Sequence, residues 1–365
     1  MSAEPKPLVT GAVGFVGFEI VYQLLEAGYA VRGYISVCGL EGKLTFLSRA
    51  ARGRKPSLLK KALEKYPQFA AVEITDVAMS DLTAALKGVG AVIHTAAPLA
   101  GRADSKTAHT AGIKKFIATG SIISFPDNAY GPNGSWPTYI YTTASNYGRK
   151  IGSRSLKVVG ANGLIAYIAQ KKLGEQAILE FADAHPEMDI TILCPSWIFG
   201  PLTPGFEHIV PEPDFTTLPS NGYIYQLLRS DNVNYHCQPS GVMDIRDVAR
   251  IHIAGLNPLT RDHARRVPLS SPYPGAFRDA INYISEARPE LRARLADPST
   301  VPFWPAYKLN VDLAPVEKAF GIPLGSYKMW KETILDAVDS LVGLEKQWKS
   351  KGLAVEVPTE PPVEM

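Results

Sequence analysis

Two groups of residues in this 365-residue chain have types and spacings that could do chemistry: the glycines Gly11, Gly14 and Gly17, and the pair Tyr167 and Lys171. In "LVTGAVGFVGFEIVYQLLEAGYAV", residues 8 to 31, the glycines follow a short apolar run at Leu8 and Val9. They precede a helical pattern carried by Val16, Ile20, Leu24 and Leu25, which Gly28 should end. In a strand-to-helix setting Gly11 permits a tight turn. Gly14 lets backbone N–H groups approach a pyrophosphate at the positive helix end, and Gly17 lets helix and strand pack closely. No Gly-Lys-Ser/Thr follows, which argues against a nucleoside-triphosphate loop. The turn is expected to hold a dinucleotide.

Tyr167 and Lys171 stand four residues apart in "YIAQK", so a helix would put phenol and ammonium on one face. A free tyrosine titrates near pH ~10, and a neighbouring lysine charge favours its phenolate and brings proton exchange toward neutrality. The spacing alone is weak evidence, since "YKMWK" repeats it at Tyr327 and Lys331, and such pairs are more often surface pairs than sites. Position favours Tyr167, which lies between the fifth and sixth expected strands, near the strand ends where α/β sheets bind ligands. Tyr327 reads as a surface or packing residue. Ser121, in "FIATGSIISF", falls just past the fifth strand, where its hydroxyl could donate to a carbonyl oxygen or simply form a turn. His94 reads as a core or cofactor-neighbouring histidine rather than a base. Cys38, Cys194 and Cys237 are too few and too scattered for disulfides or zinc, and no metal is expected.

The elements that must position these groups alternate along the chain. Strands are expected at Leu8, at Val31, and over 71–77, 91–97, 114–121 and 189–200. Helical patterns lie between them, including 58–66, a short helix from Ser80 to Gly88, and a long one over 163–185. The expected fold is a Rossmann-type, doubly wound parallel α/β sheet over residues 1–200. A smaller substrate lobe spans 201–350, with 244–256 returning a helix to the first unit, and 351–365 reads as a disordered tail. A net charge of +3 gives no reason to expect nucleic acid, and no apolar run reaches membrane-spanning length. Only a few polar residues precede the first strand, too few for a secretory signal, so the cytoplasm is the expected compartment.

The chain resembles the extended short-chain dehydrogenase/reductases (NAD-dependent epimerase/dehydratase superfamily), and within them the dihydroflavonol reductase, cinnamoyl-CoA reductase and ketoreductase branch. "VTGAVGFVG", "VIHTAAP", "KKFIATGS", "YIAQKKLGEQA", "CPSWIFGP" and "DIRDVARIHIAGL" carry the resemblance over most of the first 256 residues. It implies an NADPH-dependent carbonyl reductase, with NAD the second candidate cofactor, acting on a small molecule as a monomer or homodimer. Ser121, Tyr167 and Lys171 would then be the catalytic set. Gly11, Gly14 and Gly17, with Phe15 and Val16, would form the pyrophosphate turn. Asp76 and Val77 would flank the adenine, Thr95, Ala96 and Ala97 would line the cofactor, and Pro195 and Ser196 would sit near the nicotinamide. Sugar-nucleotide epimerase/dehydratase, 3-beta-hydroxysteroid-type dehydrogenase and a non-catalytic dinucleotide-binding protein are the alternatives.

Three stretches depart from that pattern. "AVRGYIS" offers no acid after the second strand for NAD ribose hydroxyls. Skipping residues 34–49 joins Arg32-Gly33 to Ala50-Ala51-Arg52 and restores V-R-G-A-A-R, so 34–49 reads as an insertion, with Arg32 and Arg52 at the NADP phosphate. The crossover over 98–113 is short and polar, and 135–162 is long and irregular. Together the three read as marks of mis-splicing. Aromatic candidates for the pocket, Trp197, Phe206 and Tyr225, could equally be core.

Overall fold

β1 (Pro7–Thr10) is buried along its whole length, as a central strand covered on both faces must be. The computed structural model describes residues 6–36, 55–74, 82–96, 108–125, 163–215, 218, 220–232, 241–259, 265–301 and 309–356. After β1 come α1 (Phe15–Glu26), β2 (Val31–Ser36), α2 (Lys55–Ala62), β3 (Phe69–Ile74), α3 (Thr83–Leu86), β4 (Ala91–His94) and β5 (Lys115–Thr119). α4 (Gly163–Ala184), β6 (Asp189–Pro195), β7 (Trp197–Phe199), α5 (Asn221–Gln226), β8 (Val242–Asp244) and α6 (Ile245–Ala254) follow. β9 (Arg266–Leu269), α7 (Phe277–Ala287), α8 (Ala314–Phe320) and α9 (Trp330–Ser350) complete the order.

Seven strands form one parallel sheet in the order β3-β2-β1-β4-β5-β6-β9. The order reverses direction between β1 and β4, which opens a crevice at their carboxyl ends. Alternation along each strand builds two apolar cores. Val9, Ile93, Ile117 and Leu193 face one, while Leu8, Val92, Phe116 and Ile192 face the other. The first core takes Phe18, Ile20, Val21 and Leu24 of α1, which packs along α6, and Gln23 Nε2 donates to the Arg246 carbonyl at 3.1 Å. α6 is capped by Asp244, whose carboxylate accepts from Arg246 N at 2.8 Å and from Thr333 Oγ1 of α9 at 2.8 Å.

Several boundaries differ from the sequence reading. β3 starts at Phe69 and is described only to Ile74, and the helix expected over 58–66 runs from Lys55 to Ala62. The strand expected over 189–200 breaks at Ser196; its second half, β7, leaves the main sheet and pairs with β8. β9 went unread because it is four residues long and contains Pro268, a residue tolerated on an edge strand. The stretch from residue 34, read as inserted, begins inside β2: Tyr34, Ile35 and Ser36 pair in register with Val72, Glu73 and Ile74, and Tyr34 is buried. Residues 37–49 of that stretch, 98–107 of the short crossover, and 135–162 lie outside the described residues, as do Cys38 and Cys237. The tail expected from 351 packs at its start, where Leu353 and Val355 lie against the first core. Tyr327 is buried ahead of α9 rather than on it, and Lys331 reaches Glu286 and the Tyr283 ring instead.

Candidate functional site

The glycine turn leaves β1 at the crevice. Gly11 takes a left-handed φ of 69°, and Gly14 N donates to the Gly11 carbonyl at 2.8 Å. Gly14 is the exposed N-cap of α1, with extended backbone and no capping side chain among the described residues. The first N–H groups of a helix have no acceptor within it, so this end suits a phosphate. A Cβ at Gly17 would lie 2.3 Å from the Gly11 carbonyl oxygen and 2.7 Å from Thr95 Oγ1, which is why helix and turn can meet only without a side chain there. Gly17→Ala is therefore expected to lower unfolding free energy by about 1–3 kcal/mol through overpacking. A urea melt checks it, and an unchanged midpoint would contradict the packing argument.

Thr95 and Ala96 stitch the ends of β1 and β4 together. Thr95 Oγ1 donates to the Thr10 carbonyl at 2.7 Å, and Ala96 N donates to Thr10 Oγ1 at 3.3 Å. Thr10 Oγ1 lies 2.9 Å from His94 Nδ1. Burial first, and the Lys171 charge second, push the His94 imidazole down to about 4, so at neutral pH it is an uncharged core residue rather than a base.

At the end of β5, Lys171 Nζ of α4 donates to the Thr119 carbonyl at 3.1 Å. Tyr167 stands one turn earlier on the same face, with Lys171 Nζ 5.9 Å from its ring centroid and its own surface 41% exposed. The lysine is thus anchored to the sheet while the phenol stays accessible. Ser121 is buried at the same strand end and caps the short turn Ile122–Ser124, its Oγ accepting from Ile123 N at 3.4 Å. An accepting hydroxyl still has its own proton to donate.

Thr119 also meets His252 of α6, Oγ1 to Nε2 at 2.8 Å, while His252 Nδ1 lies 2.8 Å from the Val248 carbonyl. The carbonyl can only accept, so Nδ1 carries the proton and Nε2 accepts from Thr119. Burial pushes His252 down to about 4 as well. Folded values below the ordinary ~6.5 make the unfolded chain bind protons first between these limits. The stabilisation is complete above about pH 6.5 and is lost as pH falls through about 4. The urea midpoint should fall over that window, and more steeply in the wild type than in His252→Gln; parallel profiles would contradict this.

Sequence reasoning missed Glu175, which continues the Tyr167–Lys171 face one turn further along α4. It is 3% exposed, its Oε1 accepts from Ser121 N at 2.9 Å, and its Oε2 accepts from Arg266 Nε of β9 at 2.9 Å. Ser124 Oγ lies 2.6 Å from Glu175 Oε2 and accepts from Arg266 Nη2 at 2.7 Å. The Arg266 guanidinium lies 3.5 Å from the Phe125 ring centroid. Glu175 therefore ties the helix bearing Tyr167 and Lys171 to the backbone of Ser121. Its spacing of four from Lys171 was a readable signal; its partner 91 residues away was not. Gly120 leaves room for this contact, since a Cβ there would come within 2.7 Å of Glu175 Oε1 and of Cys194 Sγ. Cys194 is a buried thiol whose titration burial pushes upward.

Pro195 and Ser196 end β6 in the same row of strand ends, with Ser196 N donating to the Leu269 carbonyl at 2.8 Å and Ser196 Oγ to Ser270 Oγ at 3.1 Å. The sheet thus gathers the glycine turn, Thr95, Ala96, Ser121, Lys171, Pro195 and Ser196 at the carboxyl ends of β1, β4, β5 and β6. Phe15 is buried edge-on to Phe206, with Val16 half-buried beside it. Arg32 sits early in β2, and its guanidinium donates to the carbonyls of Ala85 and Lys87 at the end of α3. Phe206 and Tyr225 are core, Tyr225 donating to Glu345, whereas Trp197 is half-buried against Phe199 and Tyr223. Arg52, Asp76, Val77 and Ala97 lie outside the described residues. Among the described residues, no helix is long and apolar enough to cross a membrane.

The sequence profile of the NAD dependent epimerase/dehydratase family matches residues 7–212. The chain is 24% identical over 374 residues to a ketoreductase, sphI, of Aspergillus fumigatus, covering 92% of this chain and 97% of that protein. Among solved structures it is similar to yeast methylglyoxal/isovaleraldehyde reductase Gre2 complexed with NADPH, with a TM-score of 0.72, 18% identity, and 94% and 99% of the two chains covered. It is also similar to UDP-glucuronic acid 4-epimerase from Bacillus cereus in complex with NAD, with a TM-score of 0.65, 16% identity, and 94% and 98% covered.

Proposed function

The chain belongs to the NAD dependent epimerase/dehydratase family, and from that premise we propose that it is an NADPH-dependent reductase of a small aldehyde or ketone. The observation that carries the reading is Lys171, fixed on the Thr119 carbonyl with Tyr167 one turn away, at the strand ends beside the uncapped start of α1. When bound, NADPH supplies the hydride that reduces the carbonyl carbon. The backbone N–H groups of Phe15 and Val16 would hold its pyrophosphate, and Thr95 and Ala96 would line it, with Ala97 continuing that wall. Asp76 and Val77 would flank the adenine, and Pro195 and Ser196 the nicotinamide.

Tyr167 gives its phenolic proton to the oxygen that becomes the alcohol, and the Ser121 hydroxyl holds that oxygen in place. Lys171, fixed on the Thr119 carbonyl with its Nζ 5.9 Å from the Tyr167 ring centroid, would hold the nicotinamide ribose next to the phenol. The substrate enters beside Trp197, and the enzyme works in the cytoplasm.

NADPH is preferred over NADH because the second strand runs into Ser36 with no acid for the ribose hydroxyls, and the basic run Arg52, Arg54 and Lys55 follows that strand in the sequence. Fluorescence titration should give tighter binding of NADPH than of NADH, and Arg52→Ala should narrow the difference. Equal wild-type affinities would overturn the cofactor assignment.

A further inference from the structure

On the opposite side of the sheet from this site, at the amino ends of β5 and β6, two histidines and a glutamate converge. His109 lies in helical backbone at 108–110, shortly before β5, and His185 and Glu187 lie in the turn between α4 and β6. His109 Nε2 is 2.8 Å and His185 Nδ1 is 3.3 Å from the same oxygen, Glu187 Oε1. The imidazole centroids are 4.1 Å apart, and Phe181 of α4 backs both rings at 6.0 and 4.2 Å. The three ligand atoms lie within 4.8 Å of one another.

We propose that His109, His185 and Glu187 form a binding site for a divalent transition metal of the zinc type, which clips the β4–β5 connection to the α4–β6 turn. Bonds of about 2.0–2.1 Å to a tetrahedral ion separate its ligands by roughly 3.3–3.4 Å. The 2.8 and 3.3 Å distances to Glu187 Oε1 are close to that value, so small side-chain rotations suffice. The donor set points the same way: one divalent ion takes a lone pair from each imidazole and from the carboxylate together. The negative end of the 22-residue helix α4 lies at Ala184, next to the cluster, and also favours a cation there. Two nitrogen donors select zinc, nickel or copper over magnesium or calcium. The fourth corner is left to water, since Glu187 and both imidazoles are partly exposed.

The test uses the full-length chain, stripped with chelator and titrated calorimetrically with zinc chloride and then magnesium chloride. The expected result is zinc binding whose Kd rises about tenfold or more in His109→Gln and in His185→Asn, a loss at least as large as that from disturbing a metal site's outer partners. Zinc should raise the melting temperature of the wild type and of neither variant, and magnesium should not. A second measurement needs no variant: zinc should protect His109 and His185 from diethyl pyrocarbonate, mapped by mass spectrometry on the wild type. NADPH oxidation should be unchanged in both variants. No zinc binding, equal zinc affinity in the wild type and both variants, or unprotected histidines would each overturn the proposal.

Discussion

Tyr167→Phe should lower carbonyl reduction by about 10²- to 10⁴-fold, the range typical of a lost general acid, while NADPH binding stays close to wild type. The split between rate and binding follows from position. Tyr167 is exposed at the crevice, whereas the helix that carries it is anchored by Lys171 on the Thr119 carbonyl and by Glu175 on Ser121 N. Lys171→Ala should damage both rate and NADPH affinity, because the proposed mechanism places this lysine beside the phenol and on the ribose. Tyr327→Phe is the control, and neither quantity should move. Its buried hydroxyl has no hydrogen-bond partner among the described residues, so removing it leaves nothing unsatisfied there. Steady-state rates with dinucleotide titrations measure all three variants, and wild-type turnover by Tyr167→Phe would defeat the assigned mechanism.

The second large effect is on stability. Glu175→Ala should lower unfolding free energy by about 3–5 kcal/mol, the range for breaking a buried ion pair from one side. The substitution removes the carboxylate paired with the Arg266 guanidinium, itself 6% exposed, and the acceptor of Ser121 N. Removing both charges with apolar residues of similar volume should cost much less, because the buried cation is then removed together with its carboxylate. Urea melts of Glu175→Ala and of Glu175→Leu with Arg266→Met give the comparison. A double variant as unstable as the single one would show that packing rather than charge carries the effect.

The parts of the fold that were legible depend on local pattern. The strand, glycine turn and helix from Leu8 to Gly28 could be read because apolar periodicity and glycine spacing lie within one short window. Gly28 does take a left-handed φ, of 87°, just past α1. Lys171 and Tyr167 were legible for the same reason: a spacing of four on a long helix fixes their common face. What stayed hidden depends on distant partners. β9 becomes a strand only because β6 is beside it, and Arg266 on that strand completes the Glu175 network. The carbonyls of Ala85 and Lys87, which accept from the Arg32 guanidinium, are brought to it only by the fold. Tyr34 to Ser36 look inserted by motif comparison, yet their pairing with β3 makes them sheet. The cluster of His109, His185 and Glu187 likewise needs the parallel pairing of β5 with β6 to bring two distant connections together.

The measurement that bears most directly on the proposed activity is loss of reduced-nicotinamide absorbance when the purified chain is mixed with NADPH and a panel of small aldehydes and ketones, with product alcohol analysed in the same samples. Oxidation of NADPH in step with formation of one alcohol from at least one member of the panel, and its loss in Tyr167→Phe, is the predicted result. Tight NADPH binding with no oxidation by any carbonyl, or oxidation that persists in Tyr167→Phe, would contradict it.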